Sequence, residues 1–131
     1  MFYLDANVFV NALASSDEKG EKARRLLRSL SPENKAVTST LTWDEVFWAI
    51  KKLFGTQRAV AEGRKLLSAP NIYLVPVTAA TISLAQGITE EAKLNPRDAI
   101  HAASALENDC KQIITDDQTF DKVKGIKRIR I

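Results

Sequence analysis

Cysteine is nearly missing from this chain. Cys110 stands alone among 131 residues, so no intramolecular disulfide can form. A lone thiol fits a reducing, cytoplasmic setting, and Cys110 is expected as a small, partly buried filler. Histidine is as scarce. His101 is the only one; no serine or cysteine triad can be assembled around it from the sequence, and a His-rich zinc site is excluded. The five glycines (20, 55, 63, 87 and 125) are scattered, which leaves neither a Walker loop nor a dinucleotide fingerprint. No apolar run approaches the roughly 18 residues of a membrane span. No basic segment leads into an apolar stretch and a small-residue cleavage site, so a removed signal peptide is not expected. Repeats, low-complexity tracts and long linkers are also lacking.

What remains is enough for one domain, residues 1–131, with a real core. Net charge is +3, a mild excess that only tilts the choice of partner toward anions. Its distribution says more. Lys19, Lys22, Arg24, Arg25 and Arg28 crowd one helical segment, and Lys122, Lys124, Lys127, Arg128 and Arg130 crowd the far end of the chain. Each group reads either as a solvated face or as a basic rim that draws in a polyanion.

Hydrophobic periodicity predicts strands at 2–5, 36–39, 72–75, 112–115 and 126–131, the last an edge strand alternating Ile with Lys and Arg. Helices are predicted over 7–13, 17–30, 41–54, 57–67, 79–92 and 96–108, with a helical turn at 117–121. Asn95-Pro96 is a good helix start, with Gly55 and Asn71 as stops. Strands separated by helices imply an α/β fold: a parallel sheet covered on both faces, its carboxyl ends along one edge.

The acids fall in unusual places on that scheme. Asp5 ends the first apolar run, and Asp116 and Asp117 end the run Gln112-Ile113-Ile114-Thr115. Glu45 and Asp98 lie in the opening turns of helices. Each has an ordinary role available. Asp5 can cap the helix after it and Asp117 the turn at Gln118, Asp98 suits the helix macrodipole, and Glu45 can close a capping box with Thr42. Together, however, they converge on the edge where open α/β sheets bind ligands. Two carboxylates ~4 Å apart at an effective dielectric of about 20 repel by on the order of 4 kcal/mol, so a cation among them is the natural relief. Oxygen-only ligands select magnesium or manganese over zinc.

His101, one turn after Asp98, is either near that site or a packed, hydrogen-bonded group. Trp43, Phe47, Trp48 and Phe54 at helical spacing read as core or as a helix–helix interface, with base stacking as the alternative. A phosphatase of the haloacid-dehalogenase kind would want an acid where Asn7 stands, because an amide cannot give up a proton there.

These residues also carry a family resemblance. Tyr3-Leu4-Asp5-Ala6-Asn7-Val8, Thr38-Ser39 leading to Glu45, Pro96-Arg97-Asp98-Ala99-Ile100-His101-Ala102-Ala103, and Ile113-Ile114-Thr115-Asp116-Asp117-Gln118-Thr119-Phe120 span almost the whole chain. It resembles the PIN-domain ribonucleases and, within them, the VapC-type toxins of toxin–antitoxin pairs. The resemblance implies a three-layer α/β/α sandwich with a short, mainly parallel central sheet of four to five strands. It implies a metal-dependent endoribonuclease in which Asp5, Glu45, Asp98 and Asp117 hold one or two Mg²⁺ or Mn²⁺ ions. Products would carry 5′-phosphate and 3′-hydroxyl ends. Asp116 stands where the family often has Asn and is a further candidate ligand. Asn7 and Thr115 match positions that support the acids, and Arg97, Lys51 and Lys52 are candidates for phosphate contacts. The resemblance implies a homodimer and a small antitoxin that blocks the acidic site. A member that binds RNA or protein without cutting is the alternative within the same fold.

Overall fold

The computed structural model describes all of residues 1–131. Five strands form one all-parallel sheet: β1 (Phe2–Leu4), β2 (Ala36–Ser39), β3 (Ile72–Val75), β4 (Gln112–Ile114) and β5 (Lys127–Ile129), in the order β3-β2-β1-β4-β5. Six helices intervene: α1 (Ala6–Ala14), α2 (Glu18–Arg28), α3 (Thr40–Phe54), α4 (Thr56–Leu67), α5 (Ala79–Ala92) and α6 (Pro96–Glu107), with a 3-10 turn at Gln118–Lys122. This is the α/β sandwich that the strand–helix alternation and the resemblance both predict, and element bounds agree to within a few residues.

Strand geometry explains the layering. Successive side chains point to opposite faces. Tyr3, Val37 and Ile113 therefore meet the α5–α6 side, packing with Ala99, Ala102 and Phe120. Leu4, Ala36 and Ile114 meet the α1–α3–α4 side, packing with Val8, Val46 and Ile50. The small residues of α6 let it lie close against α5 and β2, and its Ala99, Ala102, Ala103 and Ala105 are fully buried. Cys110 is buried more completely than expected. Gly55 closes α3 and opens α4 with a φ of 92°, a conformation that suits glycine.

Half of the aromatic stripe of α3, Trp43 and Phe47, serves the helix–helix contact that its spacing predicts, whereas Trp48 and Phe54 do not. Trp43 and Phe47 pack together at 5.2 Å and face α4 across Gly63, where a Cβ would sit 2.9 Å from Trp43 Nε1. Trp48 and Phe54 remain about half exposed.

The chain builds β1, β2 and β3 outward in one direction, then returns to place β4 on the other flank of β1. Strand order thus reverses between β1 and β4, and the ligand crevice of such sheets lies at the carboxyl ends there. Asp5 and Thr115 are the first residues past those two strands.

Candidate active site

Asp5 is held from both sides. Its Oδ1 accepts the Ala6 N–H at 2.7 Å, capping α1, and its Oδ2 accepts the Thr115 hydroxyl at 2.8 Å. That second bond ties the two central strands at the switch point. Thr115 Oγ1 in turn accepts from Asn7 Nδ2 (3.0 Å) and from the Asp117 N–H (3.1 Å). One hydroxyl therefore joins Asp5, Asn7 and Asp117. Asp117 Oδ1 accepts from the N–H and the hydroxyl of Thr119, which caps the 3-10 turn. The capping roles open to Asp5 and Asp117 in the sequence are thus real, and they coexist with convergence.

Glu45 does not close a capping box. Helix α3 starts at Thr40 with Ser39 at its N-cap, and the Thr42 hydroxyl pairs with that of Thr38 at 2.6 Å. Glu45 instead turns across to α6, where its Oε1 lies 2.5 Å from His101 Nε2. His101 is fully buried, with Nε2 also 3.7 Å from Asp5 Oδ1 and Nδ1 bonded to the Tyr3 hydroxyl at 2.7 Å. The expectation of a packed, hydrogen-bonded histidine and that of contact with the acids are both met. Tyr3 went unnoticed in the sequence because it reads as an apolar strand residue. The available signal was chemical: a buried tyrosine hydroxyl needs a partner.

Asp98 lies half-buried in the first turn of α6. Burial, then the carboxylates of Asp117 and Asp5, push its pKa up to about 6, with only His101 acting against them. Asp5 is also raised, chiefly by burial, against the pull of His101 and the Thr115 hydroxyl. Burial disfavours a charged His101, yet Glu45, Asp5 and Asp98 outweigh it and raise its pKa. Four acids from four different elements therefore share one electrostatic environment with a single imidazole.

Asp116 goes elsewhere. Its carboxylate lies 2.9 Å from Lys19 Nζ, accepts the Ile131 N–H at 3.3 Å, and sits 3.8 Å from Arg130 Nε. Arg97 is exposed, and the ammonium groups of Lys51 and Lys52 lie 5.1 and 5.8 Å from the Trp48 ring centre. None of these three bases pairs with an acid of the cluster. An apolar groove of about 360 Å³, bordered by Phe9, Leu13, Leu27 and Leu66, is separate from the acids.

As the side chains stand, no group of three or more acidic, histidine or cysteine residues is set to hold a metal ion. Each carboxylate except Asp98 is occupied by its own partner: Asp5 by Ala6 and Thr115, Glu45 by His101, Asp117 by Thr119. Glu45 and Asp117 each keep a second oxygen without a hydrogen-bond partner, and each Asp5 oxygen keeps a further lone pair, so these bonds do not exclude a shared ion. The donor set nevertheless fits a hard cation. It is nearly all oxygen, burial and then the neighbouring carboxylates lift Asp98, and Asn7 Oδ1 is buried with no hydrogen-bond partner.

Comparison with known proteins agrees with the fold. The PIN domain family matches residues 2–126, and the chain belongs to that family. Its fold is shared by several solved structures. One is a toxin–antitoxin complex from Klebsiella pneumoniae, 22% identical, with 97% of this chain and 96% of that one aligned and a TM-score of 0.71. Another is VapC20 of Mycobacterium tuberculosis, described as a sarcin-ricin loop cleaving toxin, 18% identical over 92% and 93% of the two chains with a TM-score of 0.79. A third is FitAcB from Neisseria gonorrhoeae, 20% identical over 98% and 96% with a TM-score of 0.76. Among curated proteins none matches. No helix is long and apolar enough to cross a membrane.

Proposed function

We propose that this chain is a divalent-metal-dependent endoribonuclease of the VapC toxin type, acting in the cytoplasm and neutralised by a small antitoxin. The observation that carries the reading is geometric: the Thr115 hydroxyl joins Asp5 to Asp117 while Asp5 and Glu45 meet at His101, and burial, then the neighbouring carboxylates, raises Asp98 beside them. Membership of the PIN family and the likeness to toxin folds support it.

Asp5, Glu45, Asp98 and Asp117 are the residues that hold Mg²⁺ or Mn²⁺, one or two ions. The ion pairs of Asp116 with Lys19 and Arg130 favour Asp117 over Asp116 as the fourth ligand. Asn7 and Thr115 fix the acids through the shared hydroxyl. When bound, a divalent ion supplies Lewis acidity at a phosphate oxygen and makes a nearby water acidic enough to ionise close to neutral pH. Arg97, Lys51 and Lys52 contact substrate phosphates. The exposed aromatics Trp48 and Phe54 are available to a second copy of the chain or to the antitoxin.

The test is cleavage of single-stranded RNA by purified protein in Mg²⁺ or Mn²⁺, with and without chelator. Metal-dependent cleavage that disappears in Asp98→Asn is expected, together with slowed bacterial growth on expression that the adjoining partner gene relieves. RNA binding without cleavage in either ion would instead make the chain a non-catalytic member.

A further inference from the structure

A chain of hydrogen bonds runs beneath the acids and crosses four elements. The Ser39 N–H, at the end of β2, donates to the Tyr3 oxygen at 3.0 Å. Tyr3, on β1, lies 2.7 Å from His101 Nδ1, and His101, on α6, lies 2.5 Å from Glu45 Oε1 on α3. Tyr3 and His101 are both fully buried and meet edge-on at 5.7 Å. Nothing in the metal scheme uses either side chain.

Donor and acceptor counting orients the chain. The Tyr3 oxygen already receives the Ser39 N–H, and a phenol is neutral at physiological pH, so the hydroxyl keeps its single proton. The acceptor bonded to it is His101 Nδ1. The neutral ring therefore carries its hydrogen on Nε2, which points at Glu45. A charged ring also has a hydrogen on Nε2, so the bond to Glu45 does not depend on titration. That bond occupies Oε1 alone and leaves Oε2 without a hydrogen-bonding partner.

We propose that Tyr3 and His101 are positioning residues: Tyr3 sets the imidazole, and its Nε2–H holds the Glu45 carboxylate at the acid cluster with Oε2 left for a cation. The proposal rests on the nuclease reading for its cation and on the hydrogen-bond chain for its geometry. Carboxylate ligands commonly owe their orientation to such outer partners, whose loss weakens metal binding by about 10-fold or more.

The experiment uses the full chain, metal-free and ¹⁵N-labelled. Because His101 is the only histidine, the imidazole spectrum contains one residue. The neutral ring is expected to bear its proton on Nε2, and Tyr3→Phe, nearly isosteric, is expected to mix the two tautomers. Mn²⁺ affinity, read from the electron paramagnetic resonance of the free ion, should fall about 10-fold in Tyr3→Phe. His101→Gln, whose amide nitrogen reaches the Nε2 position, should stay within about threefold of the parent, whereas His101→Asn should lose about 10-fold or more. A parent proton on Nδ1, or equal losses in the Gln and Asn variants, overturns the proposal. A parent that binds no Mn²⁺ overturns the nuclease reading instead, and the imidazole spectrum still decides the Tyr3–His101 half.

Discussion

Two charged regions of this molecule handle carboxylates in opposite ways. Around α2 and β5 nearly every acid has a basic partner: Glu18 with Lys22, Glu21 with Arg24 and Arg28, Asp116 with Lys19, Asp121 with Arg128. At the carboxyl edge of β1 and β4 no lysine or arginine pairs with Asp5, Glu45, Asp98 or Asp117, and one imidazole is the only potential cation. The consequence is visible in the ionisation of like groups. Bonds from Arg128 Nε and Nη2, at 2.9 and 3.1 Å, hold Asp121 below the usual carboxylate range. Burial and neighbouring acids lift Asp98 to about 6. A carboxylate neutralised by its neighbours needs nothing further, whereas one surrounded by other carboxylates needs a cation from outside. The basic segments that looked like a polyanion rim are, in large part, matched by these local acids.

Substitutions in the two regions should have very different consequences. The largest effect is expected at Asp98→Asn, which should lower RNA cleavage by about two orders of magnitude or more, the loss of several kcal/mol of transition-state stabilisation. Unchanged cleavage by the purified variant would remove Asp98 from the mechanism. Next comes Thr115→Val, which keeps the shape but takes away the hydroxyl that joins Asp5, Asn7 and Asp117. Denaturant unfolding should show a loss of about 2 kcal/mol, since buried partners are left unsatisfied. A loss near zero would mean that the hydroxyl does not organise the edge.

A smaller effect concerns pH. The Asp98 pKa is raised in the folded chain, so its protonation favours folding. That contribution is complete below the ordinary value of 3.8 and is lost as pH rises through about 6. Metal-free Asp98→Asn should therefore melt no lower than the parent at pH 7, with its advantage fading toward pH 4. A markedly lower melting temperature at pH 7 would assign Asp98 to helix stabilisation instead. The smallest effect is expected at Arg128→Gln in the compensated region, where the pair is open to water on its Asp121 side and the melting temperature should hold within about 1 °C. A larger drop would show that the β5 side depends on its ion pairs.

The order and approximate bounds of the elements were legible in the amino-acid sequence, because periodicity and stop signals such as Gly55 and Asn71 are local. It also determined that acids would stand at strand ends and helix starts, since those positions are set by the elements. It could not choose between Asp116 and Asp117, adjacent residues whose directions depend on Arg130 and on Lys19, the latter at the other end of the chain. Nor could it send Glu45 to His101 rather than to its own helix start, because that contact joins residues 56 positions apart. Tyr3 looked like core for the same reason, since its hydroxyl finds a partner only when α6 closes over β1. Backbone form is dictated by neighbours in sequence. The aim of each polar side chain depended on partners that only packing of the helices onto the sheet brought within reach.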